Sequence, residues 1–344
     1  MKNYSEVSEL LEKLCAASGV SGAENEASAV AAELLGKYMP VKIDALGSVT
    51  GTYGSGSPHI LLDAHLDQIG LVVTSVDEDG FLKVAKCGGV DIRVLAAAEV
   101  TVHGKEKLFG IITSTPPHLS TPEDSLKAKG LDEIAVDIGM CREEAVKFVS
   151  AGDRITFNGG FTKLLGNRIA SPSVDDRAGV AAILRSLEML ENVDHKCKIS
   201  VLFSVQEETG GSGARTGAFA AEADEAVAVD VSFASAPDVS GEKYASLGGG
   251  AMIGYGPSLD YSMSKKLAEI AEKNGIANQP EVMGGRTGTN CDHIQVSGKG
   301  VKTALISIPL RNMHTAIEVC DLADIENTAR LIADYVIERG GADA

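Results

Sequence analysis

Four runs along the chain share one grammar, an apolar stretch of strand length that ends in polar or ionisable residues. They are HILLDAH (59–65), KISVLFSVQEE (198–208), AVAVDVSFA (226–234) and TALISIPLRNMH (303–314). Near-continuous apolar runs of this length predict strands buried on both faces of a parallel sheet. Between them lie patterns of helical period: DDRAGVAAILRSLEML from Asp175 to Leu190, YSMSKKLAEIAEKNG ending in Gly275, and DIENTARLIADYVIERGG near the C-terminus. Their glycine stops are ordinary helix endings. Strands alternating with helices predict an α/β fold, a mostly parallel sheet covered on both sides.

From about Gly70 to about Thr162 the pattern changes. LVVTSVDEDGFLKVAKCGG and EVTVHGKEKLFGIITS each read as strand, turn, strand, with Asp79-Gly80 and His103-Gly104 at the turns. This predicts a small β-rich domain over residues 70–162, inserted into a catalytic domain made of residues 1–69 plus 163–344. PPHL and TPEDSLKAKG read as an exposed loop within the insertion. A length of 344 residues agrees with two domains or one large domain carrying an insertion.

Composition narrows the function classes. Hydrophobic residues make up 44% and charged residues 23%, ordinary globular usage. The net charge of −17 argues against nucleic acid or an anionic membrane as partner. It fits either plain solubility or a preference for cationic substrates. The N-terminal MKNYSEVSELLEKLCAASG reads as an amphipathic helix without the basic start and apolar block of a secretion signal, and the six scattered cysteines form no C-x-x-C pair. A cytoplasmic protein with reduced, packing thiols is the expectation.

The chemistry gathers at the strand ends, where open α/β sheets present side chains on a rigid frame. The first end supplies Asp63, His65 and Asp67, with Asp67 placed to fix the tautomer of a ligating His65. SPSVDDRAG brings Asp175 and Asp176 to a helix start, where they either cap the helix or bind something. SVQEETGG gives Glu207 and Glu208, whose side chains diverge if the strand persists, so that one can bind a cation while the other faces elsewhere. Asp230 ends an otherwise apolar strand, and His314 follows the last one. Clustered carboxylates repel and raise one another's pKa unless cations neutralise them. Mixed nitrogen and oxygen donors suit zinc, cobalt or manganese, and five ligands with one bridging carboxylate would serve two ions roughly 3.5 to 4 Å apart.

Taken in order and spacing, LCAASGVSGAENE, DAHLDQIGLVV, KCGGVDIR, TPPHLS, VDDRAGVAA, QEETGGSGAR, AVDVSFA, GGRTGTNCDHIQ and ISIPLRNMHTAIEV resemble the tetrahedral (TET) aminopeptidases, dinuclear metallopeptidases related to bacterial glutamyl aminopeptidase. Some relatives carry an endoglucanase label. The resemblance covers nearly the whole chain. It implies a three-layer α/β/α zinc-exopeptidase-like catalytic domain with an inserted small β-barrel-like domain that makes dimer contacts. It further implies a homo-oligomer, up to a twelve-subunit tetrahedral shell that admits peptides and excludes folded proteins.

Residue by residue, the resemblance implies that His65 and Asp230 bind one ion, Glu208 and His314 the other, and Asp175 both. Two divalent ions per subunit, zinc or cobalt, are implied. Glu207 becomes the general base, moving a proton from the attacking water to the leaving amine of a peptide, and Asp67 orients His65. GGRTGTNCDHIQ helps line the substrate pocket or is merely a glycine-rich turn. Arg286 and Arg311 either attract an acidic side chain or satisfy neighbouring carboxylates, the latter favoured for Arg311. Two other functions stand beside aminopeptidase: a dinuclear amidohydrolase or deacylase acting on N-acyl amino acids, and a non-catalytic assembly protein on the same scaffold. A glycosidase fits poorly, because its acid and base must flank a sugar.

Overall fold

A computed structural model describes residues 4–121, 127–237, 239, 241 and 244–341. Its centre is an eight-stranded sheet in the order Val41–Ile43, Val49–Tyr53, Lys198–Ser204, His59–His65, Glu225–Phe233, Lys302–Leu310, Ala251–Tyr255 and Asn278–Val282. The four predicted runs are the four adjacent central strands, and all pair in parallel. Every residue of His59–His65 is buried, which is why this run shows no polar alternation.

Successive side chains of a strand point to opposite faces, and the core divides accordingly. Ile60, Leu62, Val201 and Phe203 pack on one side with Val180, Ile183, Leu267, Ile325 and Val336 from the helices Val174–Leu190, Tyr261–Lys273 and Leu322–Arg339. Leu61 and Leu202 pack on the other side with Ala214, Ala218, Cys291 and Ile294 from the helices Ser212–Ala221 and Cys291–Ile294. The fold is thus the α/β/α layering that the sequence implies. The small residues of Ser212–Ala221 let it lie close: a Cβ on Gly217 would come within 2.5 Å of Leu202.

Between the first central strand and the helix Val174–Leu190, six strands close into a barrel in the order Gly70–Val76, Leu82–Cys87, Val136–Asp137, Lys107–Ile112, Glu99–His103 and Arg154–Phe157. Both predicted hairpins are antiparallel pairs, the first with an irregularity between Val73 and Ser75. Closure falls to Arg154–Phe157, which pairs with Gly70–Val76 and with Glu99–His103. The alternating residues Leu71, Val73, Val84, Val100, Val102, Ile155 and Phe157 fill a core of the barrel's own. Of the predicted exposed loop, residues 122–126 lie outside the described residues; ahead of them Pro117–Leu119 make a short 3-10 turn. Among the described residues, no helix is long and apolar enough to cross a membrane.

Candidate metal centre

Two groups of metal-competent side chains stand at the carboxyl ends of the central strands. One consists of His65, Asp175 and Asp230, the other of Asp175, Glu208 and His314, and in each the donor atoms lie within 4.8 Å of one another. Asp175 belongs to both. All five residues singled out from the sequence as ligands are therefore brought together, from segments as far apart as 65 and 314.

Local structure explains each placement. His65 is the last residue of its strand, in register with Ser204 on the neighbouring one. Its Nδ1–H donates to the backbone carbonyl of Asp67 at 3.1 Å, which leaves Nε2 to face Asp175 Oδ1 at 3.0 Å. The tautomer is thus fixed by the main chain of Asp67, whereas the sequence had pointed to its carboxylate, 3.5 Å from Nδ1. His314 sits at a positive φ of 64°. It repeats the arrangement: Nδ1–H donates to the carbonyl of Gly89 at 3.1 Å, and Nε2 lies 3.4 Å from Asp175 Oδ2 and 3.5 Å from Glu208 Oε1.

The carboxylate of Asp67 has a different use. It accepts from the backbone N–H of Glu207 at 2.9 Å, of Glu208 at 3.1 Å, and from the Ser21 hydroxyl. These bonds pin a turn, because the strand predicted to run on to the glutamates stops at Ser204 and the chain folds back through Gln206 at φ 62°. The two glutamates therefore separate by turn geometry instead of strand alternation. Gly210 and Gly211 continue the turn at positive φ, and Gly213 packs so tightly that a Cβ would come within 2.5 Å of the Val205 backbone.

Asp175 and Asp176 divide in the same way. Asp176 turns inward, accepting from Gly179 N–H at 3.0 Å and His65 N–H at 3.3 Å. That is a helix-start role, and Asp175 faces the two histidines. Glu318, which the sequence reading did not include, holds both ends of the site: Oε2 accepts from Asp175 N–H and Oε1 from His314 N–H, each at 3.0 Å. Asp63 stays apart, accepting from Asn290 Nδ2 at 2.8 Å. Arg311 also stays apart: its Nε donates to the carbonyl of Ser235 at 2.6 Å, so it satisfies main chain instead of the carboxylates expected for it.

The charges conflict wherever protons alone must balance them. Burial pushes Glu207 up to about 7 and Glu208 up to about 8, with nearby carboxylates adding to it against the pull of the histidines. Burial also drives Asp230 well above the usual carboxylate range. For Asp175 burial is outweighed by the hydrogen bonds to His314 and His65, and its carboxyl stays well below that range. His314 rises to about 9 through its contact with Asp175, against burial. Once deprotonated, the two Nε2 atoms and the carboxylate oxygens they face make up the donor set of a cation site. Nitrogen and oxygen donors in this mixture fit borderline divalent ions.

Comparison with known proteins decides the family, since residues 47–331 match a family model described as M42 glutamyl aminopeptidase. The chain belongs to the M42 glutamyl aminopeptidase family. It is 35% identical over 332 residues to a lysyl aminopeptidase of Pyrococcus furiosus, covering 94% of each chain. Among solved structures it resembles an aminopeptidase from the archaeon Desulfurococcus kamchatkensis, with a TM-score of 0.91, 34% identity, and 97% and 95% of the two chains covered. It also resembles the Pyrococcus horikoshii TET1 peptidase, described as assembling into a tetrahedron or a large octahedral shell, with a TM-score of 0.86 at 32% identity over 97% of this chain and 100% of that one. As an M42 member the chain is a peptide hydrolase, which sets aside the deacylase and assembly-protein readings of the sequence. M42 peptidases are metal-dependent, and the two donor groups are where this chain can meet that need.

Proposed function

We propose that the chain is an aminopeptidase working with two divalent cations and a glutamate base. His65 and Asp230 would hold one ion, Glu208 and His314 the other, and Asp175 would touch both. The observation that carries this reading is the double membership of Asp175, whose Oδ1 faces His65 and whose Oδ2 faces His314. Ions bound there would polarise the scissile carbonyl and acidify a water molecule.

The chain's own residues do the rest. Glu207 lines the same cavity as the donor groups and is assigned to neither of them. Pushed up to about 7 by burial, its carboxylate is poised to take a proton from water and return it to the leaving amine. Asp67 holds the turn that aims Glu207, and its main chain sets the His65 tautomer. Zinc or cobalt is the metal this donor set favours.

The relatives' names are opposite in charge, lysyl and glutamyl, and by themselves leave the preferred N-terminal residue open. The assembly described for the horikoshii TET1 peptidase supports a homo-oligomer of peptide-accessible chambers, with residues 70–162 as a dimerisation domain set into a catalytic domain of residues 1–69 plus 163–344. Six unpaired thiols fit a reducing compartment such as the cytoplasm.

The test is hydrolysis of aminoacyl-p-nitroanilides before and after chelation. Activity should vanish on chelation and return with zinc or cobalt, and Asp175→Ala should lose bound metal as well as turnover. Full activity in a chelated protein free of metal would refute the reading.

A further inference from the structure

The cavity beside the donor groups encloses about 450 Å³ and continues past them between Phe233, Leu305, Met313 and the Thr287–Thr289 loop. One more ionisable group lines it. Glu281 lies on the edge strand Asn278–Val282, opposite Gly254 of the strand Ala251–Tyr255. The Glu281 carboxylate reaches past that strand to side chains of the two beyond it, Lys302–Leu310 and Glu225–Phe233. There Ser307 Oγ donates to Oε2 at 2.7 Å, and Ser232 Oγ donates to Oε1.

Both hydroxyls tie this carboxylate to the metal-binding face. Ser307 is in register with Asp230, and Ser232 is two residues further along the strand of Asp230, hence on the same face. Among the described residues, Glu281 has no cationic partner; its contacts are those two hydroxyls, and burial works against its charge. A largely buried carboxylate without a cation is costly unless a partner arrives from elsewhere. The cavity is the route by which one can arrive.

We infer that Glu281 sets the enzyme's specificity and that the chain preferentially removes N-terminal lysine and arginine. This rests on the aminopeptidase reading given above. Phe233 and Leu305 would flank the methylene stem of such a side chain, and the ammonium or guanidinium would meet the carboxylate in a charge-assisted hydrogen bond. An N-terminal glutamate would set like charges together, and a leucine would leave the carboxylate without a counter-charge, so both are disfavoured by repulsion or desolvation. The net charge of −17 attracts cationic peptides in the same sense.

The experiment is kcat/KM of the zinc- or cobalt-loaded enzyme on lysyl-, arginyl-, leucyl- and glutamyl-p-nitroanilide, for wild type, Glu281→Gln and Glu281→Ala. Wild type should favour the two basic substrates over leucyl and glutamyl by about tenfold or more, the discrimination expected when a buried polar group is left unpaired. In both variants the lysyl-to-leucyl ratio should collapse towards one. If circular dichroism shows that those variants do not fold, Glu281→Asp reads the same ratio, which should drop as the charge withdraws. A wild type that prefers leucyl or glutamyl substrates overturns the specificity while leaving the peptidase standing. An unchanged ratio in the folded variants overturns the role of Glu281. Hydrolysis of none of the four overturns both readings.

Discussion

Glu207 and Glu208 are chain neighbours on one turn, yet their surroundings differ in the way the proposed division of work requires. The Glu208 carboxylate lies within reach of His314 and Asp175, whereas Glu207 belongs to neither donor group and keeps its proton affinity near neutrality through burial. Glu207→Gln should therefore retain close to two metal equivalents, read by elemental analysis, while kcat falls by about a hundredfold or more, the usual range for a lost general base. Full activity in that variant would contradict the assignment. Which donors converge was largely legible in the sequence, because His65, Glu208, Asp230 and His314 follow apolar runs and Asp175 stands at a helix start. Their partners were harder to see. Glu318 and Glu281 act through contacts with segments 143 and 26 residues away, and nothing in their local pattern sets them apart from ordinary acidic residues.

At the scale of elements, the barrel reaches into the metal site through Gly88 and Gly89, which follow the strand Leu82–Cys87. The carbonyl of Gly89 fixes His314, and a Cβ on Gly89 would lie 2.5 Å from His314 Nδ1. Gly89→Ala should push the imidazole out of place and raise the metal concentration needed for half-maximal activity by about 10- to 100-fold, as for other losses of a ligand-orienting contact. Unchanged metal activation would refute that role. The C-terminal helix Leu322–Arg339 offers a second test. In its first turn buried Asp324 accepts from Gly248 N–H at 2.8 Å and Gly250 N–H at 2.7 Å, and burial raises its carboxyl from 3.8 to about 7. The folded state then holds a proton that the unfolded chain has released, so this group's contribution to stability declines as pH rises from about 4 to about 7. Asp324→Asn cannot ionise, and its melting temperature relative to wild type should increase from pH 5 to pH 8. A difference that stays flat or falls would show that Asp324 does not titrate in this way. Element type was readable wherever one periodicity ruled: the unbroken runs gave the parallel strands, and Asp79-Gly80 and His103-Gly104 gave the hairpins. The turn at Gln206 was not, because a left-handed backbone at a residue other than glycine leaves no mark in composition, and the carboxylate that pins it is 140 residues away.

For the whole molecule, sequence order and spatial order part company. The sheet interleaves strands from both ends of the chain, and that crossing brings residue 65 beside residues 175, 230 and 314. The layered fold followed from strand–helix alternation, but barrel closure depends on Arg154–Phe157 pairing with two strands distant in sequence, which periodicity alone does not reveal. If the chain assembles as proposed, light scattering should return the mass of a multimer of the 35.7 kDa subunit; a monomer at micromolar concentration would contradict it. In the proposed function five side chains converge on a pair of ions that share Asp175. Anomalous diffraction at the zinc edge, from crystals of zinc-loaded protein, tests it most directly. Two peaks are expected, one among His65, Asp230 and Asp175 and the other among Glu208, His314 and Asp175; no peak there, or a single peak out of contact with Asp175, would contradict the account.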